Sequence, residues 1–370
     1  MPKTKPKTPK QLQARIAVLR KRIASWKCDA LLVTNPRDIR YLTGFIGDDS
    51  WALVRARSAQ VHVISDSRFE QQIKHEAPHV TAIMRKTSLA DVVKNLADRC
   101  GLVRIALQSD YLTVTHRKTL SKKMGASTLK NVDDGMLDQR AVKDGQEILA
   151  IREALAIQQE AFRKTLRFIK PGRTEYEIAA HLEYQMRLLG ADGVSFPSIV
   201  AADANAALPH AIPGKRKVKR GGIVLIDWGA MFQGYCSDLT RVVALGSMPR
   251  KMREIYCIVL EAQCAAVAAI APGKALKDVD KVARDIIKDA GYGKQFGHSL
   301  GHGIGLDIHE QPVLSTRVKG ELAPGQVVTV EPGVYLPGVG GVRIEDDVLV
   351  TVTGRRVLSD LPKRLDLAII

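Results

Sequence analysis

The segment "VLIDWGAMFQGYCSDLT" carries two carboxylates, Asp227 within an apolar run and Asp238 further along. A carboxylate in an apolar strand is costly unless it is paired or bound to a cation. The intervening "WGAMFQG" permits a hairpin that would return Asp238 to Asp227. Two close carboxylates repel, and each raises the other's pKa unless a cation sits between them. The pair is therefore a candidate metal site. The same residues also admit a plainer reading, with one aspartate salt-bridged and buried and the other exposed.

Two further acids lie in apolar surroundings. Glu331 ends the run "VVTVE" before Pro332-Gly333, and Glu345 sits in "GVRIEDDVLV" with Arg343 two residues before it. Residues i and i+2 share one face of a strand, so Arg343 is expected beside Glu345, keeping it ionised and oriented. A purely structural Arg–Glu pair is the alternative. The stretch "FGHSLGHGIGLDIHE" adds His298, His302 and His309 among four glycines. Imidazole and carboxylate together suit zinc, manganese, cobalt or iron. The glycines would let backbone pass close to a metal centre without side-chain clashes.

Other chemistries fail on spacing. "GHGIGL" has no glycine at its sixth position and no surrounding βαβ unit, so it is not a dinucleotide loop. His309-Glu310 is followed by "QPV", so it opens no HExxH, and the chain holds no P-loop. Two Asp, two Glu and one His would satisfy two divalent cations, a set that can acidify water and polarise a carbonyl.

The elements that must hold these residues fall into two parts. Leu12, Ile16, Leu19 and Ile23 recur at helical spacing over 11–26. "ALLVT", "RYLTGF", "WALVRA", "VHVISD" and "RIALQ" read as strands, with "NPRD" as a turn, and "DSRFEQQIKHEA" and "SLADVVKNLADRC" read as helices. Strands alternating with helices imply an α/β domain. A boundary is expected near residues 139–148. Beyond it come a long helix ended by Pro171-Gly172, a helix begun at Thr174 with Glu177 in a capping box, a buried helix over 257–273 and another over 276–292. Strands are expected over 222–230, 235–245, 326–335 and 341–352, giving an α+β domain with a mostly antiparallel sheet. The domain expectation is a basic disordered tail at 1–10, an N-terminal domain at 11–141 and a C-terminal domain at 142–370.

The 370 residues suffice for two domains, and 45% hydrophobic residues suffice for a core. No run of about 20 apolar residues exists, so no transmembrane helix is expected, and the basic N-terminus has no apolar segment of a secretory signal. Five scattered cysteines favour reduced thiols in a cytoplasmic protein. The net charge of +17 gathers in the N-terminus and in "GKRKVKR" at 214–220, with no interleaved aromatics. That pattern reads as solvated surface, not as a nucleic-acid platform.

At these residues the chain resembles the M24 "pita-bread" metallopeptidases, the family of methionine aminopeptidase, Xaa-Pro aminopeptidase and prolidase, with creatinase as a relative. "TNPRDIRYLTGF" and "DSRFEQQ" are similar to the creatinase-type N-terminal domain, which methionine aminopeptidases generally lack. "SFPSIVAADANAALPH", "VLIDWGAMFQGYCSDLTR", "HSLGHGIGLDIHE", "VEPGVY" and "GVRIEDD" resemble the catalytic domain. The resemblance implies a curved, mostly antiparallel sheet and two divalent ions, manganese being expected with cobalt, zinc and iron as alternatives. It implies Asp227 on one ion, His302 and Glu331 on the other, and Asp238 and Glu345 bridging. It further implies that Glu331 accepts a proton, that His298 and His309 serve substrate and proton transfer, that His210 contacts substrate, and that Arg343 and Tyr335 orient ligands and substrate. A homodimer is implied as well. "HSLGHG", where many long prolidases resemble "HRTGHG", leans towards the shorter bacterial Xaa-Pro aminopeptidase or dipeptidase type. The expected activity is thus an Xaa-Pro aminopeptidase, with a prolidase restricted to Xaa-Pro dipeptides as the alternative, and a non-enzymatic protein- or RNA-binding module as the reading from another class.

Overall fold

A computed structural model describes residues 9–133 and 135–370. The basic tail expected at 1–10 lies outside the described residues up to Thr8, and Pro9 and Lys10 already belong to the first helix. The chain divides into two compact units at Asp138/Gln139.

In the first unit an apolar sheet is covered by amphipathic helices. Its elements are α1 (Pro9–Ser25), β1 (Ala30–Val33), α2 (Pro36–Thr43), β2 (Trp51–Arg55), β3 (Val61–Ser65), α3 (Glu70–Glu76), β4 (Thr81–Met84), α4 (Leu89–Cys100), β5 (Ile105–Gln108), α5 (Val114–Met124) and β6 (Leu129–Val132). The strands order as β4-β3-β2-β1-β5-β6. The pairs β1–β2 and β2–β3 are antiparallel, whereas β3–β4, β1–β5 and β5–β6 are parallel. One expectation is corrected: "RYLTGF" is not a strand. Asn35 caps α2 by accepting from the Arg37 amide, Pro36 supplies the first turn, and Gly44 closes the helix at φ 80°. What reads as a turn is a helix start with proline in its favoured place.

The helix α6 (Leu137–Ala141) runs across the division. In the second unit, α7 (Gly145–Leu166) and α8 (Glu175–Leu188) each begin with a complete capping box, Asp144 with Glu147 and Thr174 with Glu177. The strands that follow are β7 (Gly193–Val194), β8 (Ile199–Ala202), β9 (Ile223–Trp228), β10 (Ala230–Phe232), β11 (Tyr235–Cys236) and β12 (Leu239–Ala244). Next come α9 (Arg250–Ala269) and α10 (Leu276–Asp289). The chain then adds β13 (Gly301–Gly303), β14 (Glu310–Leu314), β15 (Val327–Val330), β16 (Gly333–Leu336), β17 (Gly340–Arg343), β18 (Asp346–Val350) and β19 (Arg355–Val357). The sheets order as β12-β9-β8 and β14-β13-β15-β18-β19, with the ribbons β16-β17 and β11-β10-β7. The paired strands of this unit are antiparallel. One core joins Ile223, Leu225 and Val242 to Ile255 and Val259 of α9 and to Val328, Val330, Val342 and Ile344. The expected buried helix over 257–273 is buried on one face only, since Cys257 and Cys264 on α9 are exposed.

Three expected long strands are each two short ones. The breaks fall at Ser237-Asp238, Glu331-Pro332 and Ile344-Glu345. Three of the four acids singled out above therefore sit where a strand stops. At those positions the backbone leaves the ladder, so the side chain is free to turn inward rather than follow the pleat.

Candidate metal centre

Asp227 is the exception, lying within β9. In register it faces Thr240 of β12, and Ile199 of β8 on its other side. The β9–β12 hairpin returns the chain so that Asp238, one residue before β12, lies beside Asp227. Oxygens of Asp227, Asp238 and Glu345 lie within 4.8 Å of one another, and all three residues are buried. Two full charges at that distance repel by about 3–4 kcal/mol at an effective dielectric of about 20. Burial, then the neighbouring carboxylates, push Asp238 and Glu345 well above the usual carboxylate range.

His302 and Glu331 complete the cluster. His302 Nε2 lies 3.4 Å from Glu331 Oε1 and 3.6 Å from Asp238 Oδ2. Its Nδ1 lies 3.1 Å from the Gly303 carbonyl, which can only accept, so Nδ1 carries the proton and Nε2 keeps its lone pair towards the acids. Burial lowers the ring to about 4, which leaves it neutral. Burial raises Glu331 to about 8, against the pull of Arg343 and with the push of Asp227.

Arg343 does not pair with Glu345 as the i, i+2 pattern implies. Glu345 lies in the break after β17, where strand alternation no longer holds. The Arg343 guanidinium instead donates to Asp227 through Nη2, to the Tyr335 hydroxyl through Nη1 at 2.7 Å and to Thr240 Oγ1 through Nε at 3.0 Å. Thr240 then donates to Glu345 Oε2 at 2.7 Å. Arg343 reaches Glu345 only through this hydroxyl. Because Tyr335 accepts from arginine, its proton goes to His298 Nε2, 2.9 Å away. His298 Nδ1 is 2.8 Å from the Ser299 carbonyl, and burial lowers this ring to about 4. Both nitrogens of His298 are thus committed within the chain.

His309 and His210 differ from these in being exposed. The His309 ring stands edge-on to His302 with centroids 4.5 Å apart. His210 is close enough to His298 that its charge would lower the affinity of that ring for a proton. The structure thus brings Asp227, Asp238 and Glu345, all buried, together with the half-buried His302 and Glu331. Arg343, Tyr335 and His298 form a hydrogen-bonded chain leading from this cluster, and His309 lies above His302.

The glycines around His302 serve a purpose other than the one expected. A Cβ on Gly301 would lie 2.0 Å from the Thr329 carbonyl oxygen of β15, and one on Gly303 would lie 2.2 Å from the Gln311 carbonyl oxygen. They admit neighbouring strands to β13. The segment is itself a short strand, not a loop.

Three positioning residues escape a reading from sequence. Thr240 sits two residues after Asp238. Thr329 sits two residues before Glu331, takes the His302 amide at 3.0 Å and lies 3.3 Å from Glu331 Oε1. Asp347 accepts the Asp238 amide at 3.1 Å. A threonine spaced i±2 from each acid in an otherwise apolar strand is a signal that could have found the first two.

The cluster fits divalent metal on its own chemistry. Asp227 Oδ1, Asp238 Oδ1 and Glu345 Oε1 are buried and accept no hydrogen bond. Unsatisfied buried carboxylate oxygens are expensive, and here three residues that each carry one stand together, with the His302 lone pair 3.6 Å from Asp238. Hard oxygens with one nitrogen are donors for a divalent first-row cation.

Residues 150–352 match the metallopeptidase family M24, and residues 15–142 match the creatinase/prolidase N-terminal domain. An uncharacterized peptidase of Bacillus subtilis is 39% identical over 337 residues, covering 91% of this chain and 95% of its own. The structure of an Xaa-Pro dipeptidase from Bacillus anthracis superposes with a TM-score of 0.93 at 37% identity, over 97% of this chain and all of that one. An X-Pro aminopeptidase from Thermotoga maritima superposes with a TM-score of 0.87 at 38% identity, over 94% of this chain and all of that one. An α/β creatinase-type domain followed by a pita-bread catalytic domain places this chain in metallopeptidase family M24.

Proposed function

We propose that the protein hydrolyses the Xaa-Pro peptide bond, with Xaa-Pro dipeptides as its substrates. The observation that supports this most is the group of Asp227, Asp238 and Glu345, mutually close and each with a buried oxygen that accepts no hydrogen bond, with His302 Nε2 3.6 Å from Asp238. The dipeptide reading leans on the similarity to the Bacillus anthracis dipeptidase. The aminopeptidase reading is kept as second because the Thermotoga maritima protein is equally similar in sequence.

Asp227, Asp238, His302, Glu331 and Glu345 would hold two divalent ions, with manganese the proposed pair. Bound there, such ions supply Lewis acidity and a nucleophilic water at neutral pH. The chain's own residues do the rest. Glu331 accepts a proton at a carboxylate oxygen and returns it to the leaving prolyl nitrogen. The exposed His309, whose ring meets His302, donates to the developing oxyanion in this reading. His298 shuttles no proton in this reading: its hydrogen bonds fix the Tyr335 hydroxyl, and through it Arg343 and Asp227. His210, at the exposed rim, contacts the substrate.

The test compares hydrolysis of an Xaa-Pro dipeptide with an Xaa-Pro-Yaa tripeptide in manganese, cobalt and zinc. Tripeptide cleavage at a comparable rate would replace dipeptidase by aminopeptidase. Retained hydrolysis in Asp238→Ala or Glu345→Ala would sink the metal-centre reading. Salt-sensitive RNA binding without hydrolysis would favour the non-enzymatic module. A homodimer and a cytoplasmic location belong to the same proposal, checked by light scattering and by fractionation.

A further inference from the structure

Beside the cluster lies a second buried group of charges that the proposed chemistry does not use. Arg140 closes α6, and Lys143 lies just before α7. Arg140 Nη2 bonds Asp307 Oδ2 at 2.6 Å and also bonds Glu310 Oε1. Lys143 Nζ bonds the other oxygen, Glu310 Oε2, at 3.0 Å. The side chains of Arg140, Lys143 and Glu310 are each only 1% exposed. Glu310 Oε1 also accepts the Asp307 amide at 3.0 Å, closing the turn 307–310 on itself. Burial would raise the Glu310 carboxyl, but Lys143 and Arg140 outweigh it and hold the group ionised.

The turn packed around this carboxylate carries His309. A Cβ on Gly305 would lie 2.6 Å from Glu310 Oε2, so the segment is shaped around the Glu310 side chain. The Gly305 carbonyl accepts the Cys236 amide at 2.7 Å, two residues before Asp238. His309 is one residue from Glu310, and its ring meets His302. An exposed imidazole has little packing of its own to hold it. Its backbone, by contrast, is fixed on the next residue by two buried cations.

We propose that Arg140 and Lys143 are positioning residues that, by clamping Glu310 and the turn 307–310, hold the His309 imidazole against His302. Removing a clamp cation leaves Glu310 under-paired and lets the turn relax. A displacement of the order of 1 Å at a catalytic group is enough to cost about a hundredfold in rate. Buried ion pairs of this kind are better at fixing geometry than at adding stability.

This rests on His309 acting at the reacting carbonyl, and the experiment separates the two ideas. Arg140→Met is made in the wild-type chain and in His309→Ala. The expected result is a fall in kcat of about a hundredfold in the first and less than about twofold in the second, with KM and metal content little changed. Arg140→Lys restores part of the loss. An equal fall in both backgrounds means a merely structural role and overturns the proposal. In parallel, the imidazole signals of the metal-free protein, labelled at histidine nitrogen, are compared. The His309 signals are expected to shift and sharpen in Arg140→Met while those of His298 stay in place. Unmoved His309 signals overturn the proposal even if the protein proves to hydrolyse no Xaa-Pro bond. If Arg140→Met does not fold, Lys143→Met gives the same cycle with a smaller effect, because Arg140 still holds Glu310.

Discussion

Arg343 donates to Asp227, on a strand of another sheet, and not to Glu345, two residues away on its own chain. The guanidinium is buried, and its three donor directions end on Asp227, the Tyr335 hydroxyl and Thr240. Lysine offers one point charge and cannot reproduce this fork. Arg343→Lys is therefore expected to keep the fold while weakening divalent-ion binding by about 10–100-fold. Arg343→Met, which leaves Asp227 without its cation, is expected to cost about 3–5 kcal/mol of stability in the metal-free protein. Calorimetric titration with manganese and urea unfolding read the two effects. Wild-type affinity in Arg343→Lys would show that the fork does not matter.

Thr240→Val keeps the shape of the side chain and removes both its roles, acceptor for Arg343 Nε and donor to Glu345 Oε2. Two buried partners lose their bond, so a loss of about 1–3 kcal/mol is expected. Thr240→Ser, which keeps the hydroxyl, should recover most of it. Chemical denaturation of both variants checks the pair, and equal losses would point to packing instead of hydrogen bonding.

The strengths and gaps of the sequence reading follow from what is local. The capping boxes at Asp144 and Thr174 are contained in four residues, so the starts of α7 and α8 can be read directly. Asn35-Pro36 is equally local but ambiguous, since the same dipeptide begins a turn or a helix. The break after Glu331 carries a local signal in Pro332-Gly333, and the one at Glu345 falls in the charged run "RIEDD", but neither tells which way the carboxylate turns. Which acid Arg343 chooses depends on β9 lying beside β17, a contact 116 residues apart in sequence. The four acids could be singled out from residue types and surroundings, and His302 among the three histidines only from the family resemblance. The hydrogen-bonded frame around them, which includes Thr240, Thr329 and Asp347, could not.

The metal-free protein should lose stability as pH rises. Glu331 is raised by burial to about 8, against an ordinary glutamate near 4.3, so the native state keeps a proton that the unfolded chain has released. Where the native state binds more protons, stability falls with increasing pH. Asp238 and Glu345, also raised, act in the same direction. The melting temperature after chelation is therefore expected to fall between about pH 6.5 and pH 8, since below about pH 6.5 the lowered proton affinity of His298 and His302 acts in the opposite direction. Stabilisation by added manganese should grow over the same interval, with protons released on binding. Thermal melts with and without chelator test this, and a chelated melting temperature that rises steadily to pH 8 would refute it.

The glycine at 301 gives the sharpest test of how closely β13 must approach β15. Its backbone needs no left-handed conformation, so alanine brings no torsional penalty there. The obstacle is space: the added Cβ would lie 2.0 Å from the Thr329 carbonyl oxygen and 2.8 Å from Thr329 Oγ1. Both groups are backbone or buried, so they cannot swing aside as an exposed side chain would. The strands must separate, which moves the His302 amide from Thr329 Oγ1 and His302 Nε2 from Glu331. Gly301→Ala should thus cost about 1–3 kcal/mol, as overpacking does, and lower metal affinity as well. Gly297→Ala is the matched control, since nothing lies within 4 Å of a Cβ at that position. If Gly301→Ala binds manganese as tightly as Gly297→Ala, then the spacing between β13 and β15 does not set the geometry of His302.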